Sequence, residues 1–522
     1  MIENMTPQQI FHKYQKLTEY CTKWDLYETV KVNEQFYDGD QWNGVKTDLP
    51  KPVINILQRV VKYLIASISS NEVAVSMMPF SSLTDDQTKM GFLARAVEQA
   101  IEQAKMKEKA RLIVRNTAVD GSSYLLLNFN PDFETNQDYK GIVEAQVVDN
   151  TQVYFGNPYS NDLQKQPYII IALRQYIGQV KEEAKANGID QDDIDQIKAD
   201  NDATQPNDDS DNLVTVLLTF AKVKKDGKQT VVFTKSVENC WIKEETDLGY
   251  SRYPLSVMGW EPIKNSYLYT SPLTSVIYNQ IFINKCFAIA QMYGLQSAFP
   301  KIIYDSSKGQ IDDLMDNTRP SAVANIDMMG KVLDFIKVPD FSNQIIELIN
   351  TTIQQTKECM GVNDAAMGNV KPDNTSAIIA LQEATNVPLE IQRQAYFEFW
   401  EETVRNLIDI MIANYNVRKI ITEDGLVEID YNALKGINYE LNVDVGQGAQ
   451  YSQIAQINTL DKLFQAQLVD GEVYLDSIPD KYLMNKEKIK AAYKEKIQQQ
   501  QQMMQQQAAA QAQQPLPTDI RQ

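Results

Sequence analysis

The spacing of apolar residues predicts that the N-terminal part of the chain is helical. Residues 7–36 carry apolar side chains at helical intervals among charged ones. Residues 84–118 predict another helix, with Asp85 and Asp86 in a first turn where they favour the helix dipole. Between these two segments, residues 53–69 place six aliphatic side chains on one helical face: Val53, Leu57, Val60, Val61, Leu64 and Ile68.

The period of the pattern then changes to one typical of β-strands. Four short segments are predicted as strands: 123–129, 142–148, 152–155 and 168–175. Residues 213–223 and 229–235 flank an Asp-Gly turn, which predicts a β-hairpin.

From about residue 268 the helical period returns. Helices are predicted for 271–294, 341–361, 377–415 with an interruption at Pro388, and 450–469. Strand-like segments lie among them at 300–305 and 331–338, and a hairpin at 417–430. The whole pattern predicts an α+β protein that is mainly helical.

Two of these helices form an unusual pair. The first has Ser271 as its predicted N-cap and Pro272 at its first position, and it is predicted to end at Gly294. At ~1.5 Å per residue, this helix and 341–361 each span roughly 30–35 Å. They bracket a small strand-containing insert. This arrangement predicts a projecting pair of helices, or stalk, with a small subdomain at its end. An ordinary αβ subdomain is the alternative.

A loop rich in glycine, asparagine and proline directly precedes the apolar start of the 377–415 helix. Such a loop suits either an active-site lid or a segment that projects from a rigid assembly. Its polar and breaker residues include Asn369, Lys371, Pro372, Asp373 and Asn374.

The size and charge of the chain narrow these possibilities. Its 522 residues suffice for two to four cores at roughly 100–200 residues per domain. The formal net charge of −19 disfavours ordinary nucleic-acid binding by counterion release. The same charge suits the wall of a channel through which a polyanion passes without being bound. The alternative is that the charge serves only to keep the protein soluble.

Cysteine usage and hydropathy exclude other classes. The four cysteines are scattered and predict reduced thiols, without a disulfide framework or a zinc site. The N-terminus lacks the basic and apolar regions of a signal peptide. The most apolar long segment, 272–293, is interrupted by amides and a lysine, so we expect no membrane span.

Candidate catalytic chemistry is scarce. The single histidine, His12, lies in a polar helix without a partner motif. Residues 39–47 resemble a phosphate-binding loop, but Val45 separates its second glycine from Lys46 and a helix precedes it. We therefore expect no enzyme activity and no cofactor.

The acidic segment 187–212 carries nine aspartates, but it lacks the spacing of a calcium loop. Ile194 falls where a ligand is needed, and no glycine follows at the turn. We interpret it as a short helix followed by a solvated surface excursion, and we expect no metal site.

Five segments, in their order along the chain, resemble the portal (head-to-tail connector) proteins of tailed bacteriophages, most closely those of short-tailed phages. They are residues 36–42, 51–79, 269–291, 374–390 and 443–464. The resemblance implies a fold of wing, stem, clip, tunnel loop and crown that assembles as a ring, normally a dodecamer.

The same resemblance assigns a role to each part of the chain. The implied assignments are wing 1–270, stem helices 271–294 and 341–361, clip 295–340, tunnel loop 362–376, kinked long helix and wing hairpin 377–439, crown 440–496, and a disordered Gln-rich tail 497–522. The crown is small, and the sequence departs from larger relatives in lacking a long C-terminal helical barrel.

The implied functional residues fall into three groups. The tunnel loop would face DNA with Asp364, Asn369, Lys371, Pro372, Asp373 and Asn374. Pro388 would kink the helix that follows. The stem would pack through Leu273, Ile277, Ile281, Phe341, Ile345, Leu348 and Ile349.

A portal protein would occupy one capsid vertex of the virion, after assembly in the host cytoplasm, and serve DNA packaging, retention and ejection. Its implied partners are further copies of itself, double-stranded DNA, the terminase large subunit, major capsid and scaffolding proteins, and head-tail adaptor or tail proteins, but no membrane. Two alternatives stay open: an acidic hydrolase or nucleotide-dependent enzyme with its site in 362–376, and a non-portal structural or scaffolding protein.

Overall fold

The architecture is an α+β fold in two compact units, Met1–Val445 and Gly446–Gln522. A computed structural model describes the following residues of the first unit: 5–69, 74–80, 84–134, 139–200, 213–225, 227–298, 302–304, 333–335, 343–362, 387–422, 425–435, 437 and 439–444. In the second unit it describes residues 460–466, 469, 471–477, 489 and 492–493.

The N-terminal part contains five helices where the apolar pattern predicted three. Their bounds are α1 Pro7–Lys23, α2 Leu26–Asp38, α3 Ile56–Ser69, α4 Thr84–Gln103 and α5 Met106–Asp120. The predicted helices 7–36 and 84–118 are each broken by one residue in the left-handed conformation, Asp25 (φ 52°) and Lys105 (φ 51°). A helix cannot continue through that conformation, so the chain turns there.

The start of α3 also differs from the prediction. The Asn55 side chain accepts a hydrogen bond from the Gln58 N–H at 3.0 Å and so caps the helix just before Ile56. Val53 therefore lies outside the helix and is exposed. The other five predicted apolar residues of this face are buried, as expected.

Two antiparallel sheets form the β-rich part. One has the order β3-β2-β9, and the other the order β4-β5-β6-β7-β8. Their strands are β2 Ser122–Glu134, β3 Lys140–Asp149, β4 Val153–Phe155, β5 Tyr168–Tyr176, β6 Leu213–Lys225, β7 Lys228–Ser236, β8 Trp241–Asp247 and β9 Leu255–Gly259. The predicted strands and the β6–β7 hairpin are confirmed, whereas β8 and β9 were not predicted.

Short elements complete this region. Helices α6 (Ile177–Ala186) and α7 (Gln191–Ile194) follow β5, and α7 is the short helix predicted in the acidic segment. Strands β10 (Glu261–Pro262) and β11 (Tyr269–Thr270) pair with each other just before the next helix.

The later part contains the long helices. These are α8 Pro272–Ala298, α9 Asn343–Cys359 and α10 Glu390–Asn414. The prediction that the first of them ends at Gly294 is wrong. This glycine does not have the left-handed backbone of a C-cap, and the helix continues through it to Ala298.

Three antiparallel pairs of strands accompany these helices. Strands β12 (Ile302–Tyr304) and β13 (Leu333–Phe335) pair within the insert between α8 and α9. Strands β14 (Val417–Thr422) and β15 (Gly425–Asp430) form the predicted hairpin.

The last pair of strands joins distant parts of the chain. Strand β1 (Ala74–Pro79) pairs with β16 (Tyr439–Asp444). Most of β16 falls in the segment 440–496, but it belongs to the first compact unit.

Two large hydrophobic cores support the described part of the first unit. The larger core joins α3, α4, α5, α8 and α10 with the three-stranded sheet. The second lies between α1 and the five-stranded sheet and includes a group of tyrosines. Burial raises the pKa of the Cys21, Cys240 and Cys286 thiols, whereas Cys359 at the end of α9 is exposed.

Candidate functional site at the long helix pair

Helices α8 and α9 pack against each other as the predicted pair. The Asn279 side-chain amide on α8 donates a hydrogen bond to the Thr356 hydroxyl on α9 at 3.2 Å. Thr356 and Ile349 are the buried residues of α9, and they lie on one helical face. One side of α9 therefore packs against α8, while most of the other residues of α9 remain exposed.

The predicted stem residues lie at different depths. Leu273, Ile277 and Ile349 are buried, and Ile281 and Ile345 are half-buried. Leu348 is 50% exposed, so the described residues bury it only in part. Phe341 lies outside the described residues.

Two buried amides fix α8 to the loop between α2 and α3. The Gln280 side chain donates to the Ile54 carbonyl at 2.7 Å and accepts from the Ile56 N–H at 3.3 Å. The Asn284 side chain donates to Gln41 Oε1 at 2.6 Å and accepts from the Ile54 N–H at 3.4 Å. Buried amides are stable only when hydrogen-bonded, so these contacts specify where the loop sits on the helix. The sequence showed both residues only as interruptions of an apolar helix.

The same contacts explain the glycine-containing loop 39–47. It follows α2 directly, and the Trp42 indole N–H donates to the Pro52 carbonyl at 2.8 Å. The Gln41 amide donates to the Phe36 carbonyl at 2.8 Å. These bonds fold the loop as a turn against the start of α3.

The N-terminus of α8 is attached to the C-terminus of α5. Ser271 caps α8, because its hydroxyl accepts from the Leu273 N–H at 3.0 Å, and it donates to the Ala118 carbonyl at 2.7 Å. Asn33 on α2 donates to the Val119 carbonyl at 2.7 Å and to the Thr274 hydroxyl at 2.9 Å. The predicted N-cap is thus confirmed. Together, Ser271 and Asn33 join α2, α5 and α8 where α8 begins.

A cluster of carboxylates lies beside this junction. Arg115 on α5 forms a two-pronged ion pair with Glu34 on α2, and its guanidinium stacks on the Tyr37 ring at 4.6 Å. Asp120, the last residue of α5, is buried, and its Oδ1 has no hydrogen-bond partner among the described residues. Burial, and then the nearby Glu34, raise the pKa of Asp120 to about 8. Burial and Glu34 also raise the pKa of Asp149 on β3.

This cluster predicts a pH-dependent stability. Between about pH 4 and pH 8 the folded protein holds a proton on Asp120 that the unfolded chain releases. The free energy of unfolding should therefore fall as the pH rises through this range. Asp120→Asn should flatten the fall, measured as the midpoint of urea unfolding from pH 6 to pH 9. The exposed Asp38→Asn is the matched control, and a D120N profile parallel to that of the wild type would contradict the prediction.

The end of α9 and the start of α10 meet at the larger core. The chain leaves this core at buried Val362 and returns to it at buried Leu389. A Cβ placed on Gly361 would lie 3.5 Å from the Pro388 Cβ and 3.3 Å from Leu389 Cδ2. The segment 363–386 therefore begins and ends at neighbouring points.

Several predicted residues lie within that segment. Asp364, Asn369, Lys371, Pro372, Asp373 and Asn374 are outside the described residues. Pro388 is described, and it lies in a short 3₁₀ turn, Val387–Leu389, directly before α10. Whether it kinks a longer helix stays a prediction, because residues 377–386 are also outside the described part.

Helix α10 is itself firmly attached to the β-rich part. Glu402 pairs with Arg252 and accepts from the Gln164 amide at 2.7 Å. The buried Asn406 amide donates to the Leu255 carbonyl at 3.2 Å. Polar contacts from α10 thus reach both the β9 region and the loop before β5.

Among the described residues, no group of three or more His, Cys, Asp or Glu side chains is arranged to hold a metal ion. No helix in the described part of the chain is long and apolar enough to cross a membrane.

The sequence of the chain matches one family model. A family model described as phage P22-like portal protein matches residues 15–522, which is nearly the whole chain. No protein of curated function matches the sequence.

Proposed function

Because the chain belongs to the phage P22-like portal protein family, we propose that copies of it form a ring around a DNA channel. Portal proteins are structural components of the phage capsid vertex that serve DNA packaging, and this chain has that function. The match over residues 15–522 is the observation that carries the assignment. The ring, its normal dodecameric number and its individual partners belong to the proposal.

The described elements support a division into portal regions. The wing would comprise 1–270 and the hairpin within 377–439, and the stem the helices in 271–294 and 341–361. The clip would be 295–340, whose described strands β12 and β13 pair with each other. The crown would lie in the part of 440–496 that follows β16, with the Gln-rich tail 497–522 after it.

The close approach of Gly361 and Pro388 supports a projecting tunnel loop at 362–376. Val362 and Leu389, the buried residues on either side of the segment 363–386, both belong to the larger core. Because the flanking residues are fixed in the core, the loop can extend from the rigid body without displacing the helices. Its Lys371 would be the one cation there, beside Asp364 and Asp373, and would contact the phosphates of passing double-stranded DNA.

The overall charge suits transport better than tight binding. At a net charge of −19, a channel wall would repel phosphates and let DNA slide. The clip would dock the terminase large subunit during packaging and head-tail adaptor or tail proteins afterwards. The wing would contact major capsid and scaffolding proteins, with assembly taking place in the host cytoplasm.

Negative-stain electron microscopy of the purified protein tests the proposal directly. We expect rings with a central hole, because the family assembles at a capsid vertex. A compact monomer at every protein concentration would contradict the ring. Metal- or ATP-dependent turnover that is lost on changing residues 362–376 would favour the enzyme instead.

A further inference from the structure

An apolar stripe runs along one exposed face of α8. Tyr278 is 79% exposed, Phe282 38% and Ile289 49%. Lys285 lies on the same face, since the four residues follow one another at intervals of four, three and four. The described part of the chain leaves Tyr278 mostly exposed and covers Phe282 and Ile289 only in part. A row of large apolar residues exposed on one helix marks a protein-binding surface.

A shallow groove runs along α9 on a face that does not contact α8. It is lined by Asn343, Ile346, Glu347, Asn350, Thr351 and Gln354. Glu347 is the one charged residue among the described residues that line the groove, and Ile346 is a large apolar residue that is 49% exposed. This surface is polar and acidic, with one apolar position near its end.

The two surfaces are complementary in charge. Lys285 is the one charged residue of α8, and it forms no ion pair with any described residue. Glu347 likewise has no described cationic partner. Neither surface complements itself, because one carries a single positive charge and the other a single negative charge.

The two surfaces also lie at similar distances along the helix axis from the contact between Asn279 and Thr356. The contact between Asn279 and Thr356 fixes the antiparallel register of α8 and α9. At ~1.5 Å per residue, Ile289 and Ile346 both lie roughly 15 Å from that contact, in the same direction. Lys285 and Glu347 lie roughly 9 and 14 Å from it. If the axis of the ring runs along the helices, rotation about it does not change the position of a residue along the axis. Residues at the same position along the two helices would therefore meet between neighbouring copies.

We propose that the α8 stripe of one subunit packs on the α9 groove of the next, with Lys285 paired to the partner subunit's Glu347. Ile289 then contacts the partner subunit's Ile346, and Phe282 covers the polar lower part of the groove. Two different surfaces meet, so the contact is heterologous and closes only as a ring or continues as a filament. This inference rests on the proposed ring and specifies its stem contact.

Charge reversal tests the pairing. Lys285→Glu and Glu347→Lys should each weaken ring formation, because each places like charges opposite one another. The protein concentration at half-assembly should rise by roughly tenfold or more, a change within the range of close charge pairs. The double variant K285E/E347K should restore assembly towards the wild-type value. Analytical ultracentrifugation gives these concentrations, and near-UV circular dichroism checks that each monomer is folded.

Lys16→Glu, at an exposed position on α1, controls for the change in net charge and should leave assembly unchanged. Rings of unchanged stability in both single variants would overturn the pairing but leave the proposed function intact. Weakened single variants without rescue in the double variant would also overturn it. A wild-type chain that never assembles would overturn the ring itself, and the pairing with it.

Discussion

Deletion of residues 363–376, closed by a short Gly-Ser linker, should leave ring formation intact and abolish most DNA packaging or retention. The described residues on either side of 363–386 lie close together, so the retained residues 377–386 and the linker can join them. Val362 and Leu389 are buried in the same core, and Gly361 lies against Pro388. The deletion therefore starts after Val362, because removing this buried residue would damage the core as well.

Two measurements separate the outcomes of this deletion. Ring formation is assessed by electron microscopy, and packaging by nuclease-protected DNA in phage particles complemented with the variant. Deletion of 201–212 is the control, because the Asp200 N–H donates to the Leu213 carbonyl at 3.0 Å and holds the two ends together. Loss of rings in the 363–376 variant alone would show that the loop is a packing element and would contradict the projecting-loop proposal.

Gly121→Ala should strongly destabilise the first unit. Gly121 has φ +94°, and an added Cβ would lie 2.5 Å from the Tyr269 carbonyl oxygen and 3.1 Å from the Ser271 nitrogen. Both neighbours are backbone atoms that lead into α8, so they cannot move aside as a side chain would. Backbone strain of about 1–3 kcal/mol and overpacking of about 1–3 kcal/mol should together lower the free energy of unfolding by about 2–6 kcal/mol.

Gly91→Ala is the matched control for this substitution. Gly91 is an exposed residue inside α4, and an added Cβ would meet no atom within 4 Å. Alanine there should raise the free energy of unfolding by about 0.5–1 kcal/mol, because it suits a helix interior better than glycine. Urea unfolding of both variants gives the comparison, and equal stability of G121A and the wild type would refute the close packing at the base of α8.

Hydrophobic periodicity predicted most elements because each buries one regular face. The residues of α3 from Leu57 to Ile68 and the β6–β7 hairpin follow their patterns closely. The breaks at Asp25 and Lys105 could not be predicted in this way, because the apolar spacing continues across a single left-handed residue. Pairing of β1 with β16 was also invisible, since the strands lie far apart in the sequence and local patterns carry no register.

The candidate site shows the same division. The start of α8 was predictable from the Ser271 cap and Pro272, whereas the predicted end at Gly294 was wrong. The buried polar groups that anchor the helices could not be predicted. Whether Gln280 or Asp120 is buried depends on which distant segment packs over it, and a single sequence shows only a polar residue at that position.

The distribution of thiols offers a way to count subunits. Cys21, Cys240 and Cys286 are buried, and only Cys359 is exposed. A maleimide dye under native conditions should therefore attach once per chain, at the end of α9. Stepwise photobleaching of single labelled particles would then report the number of copies in each assembly, without a substitution in the protein.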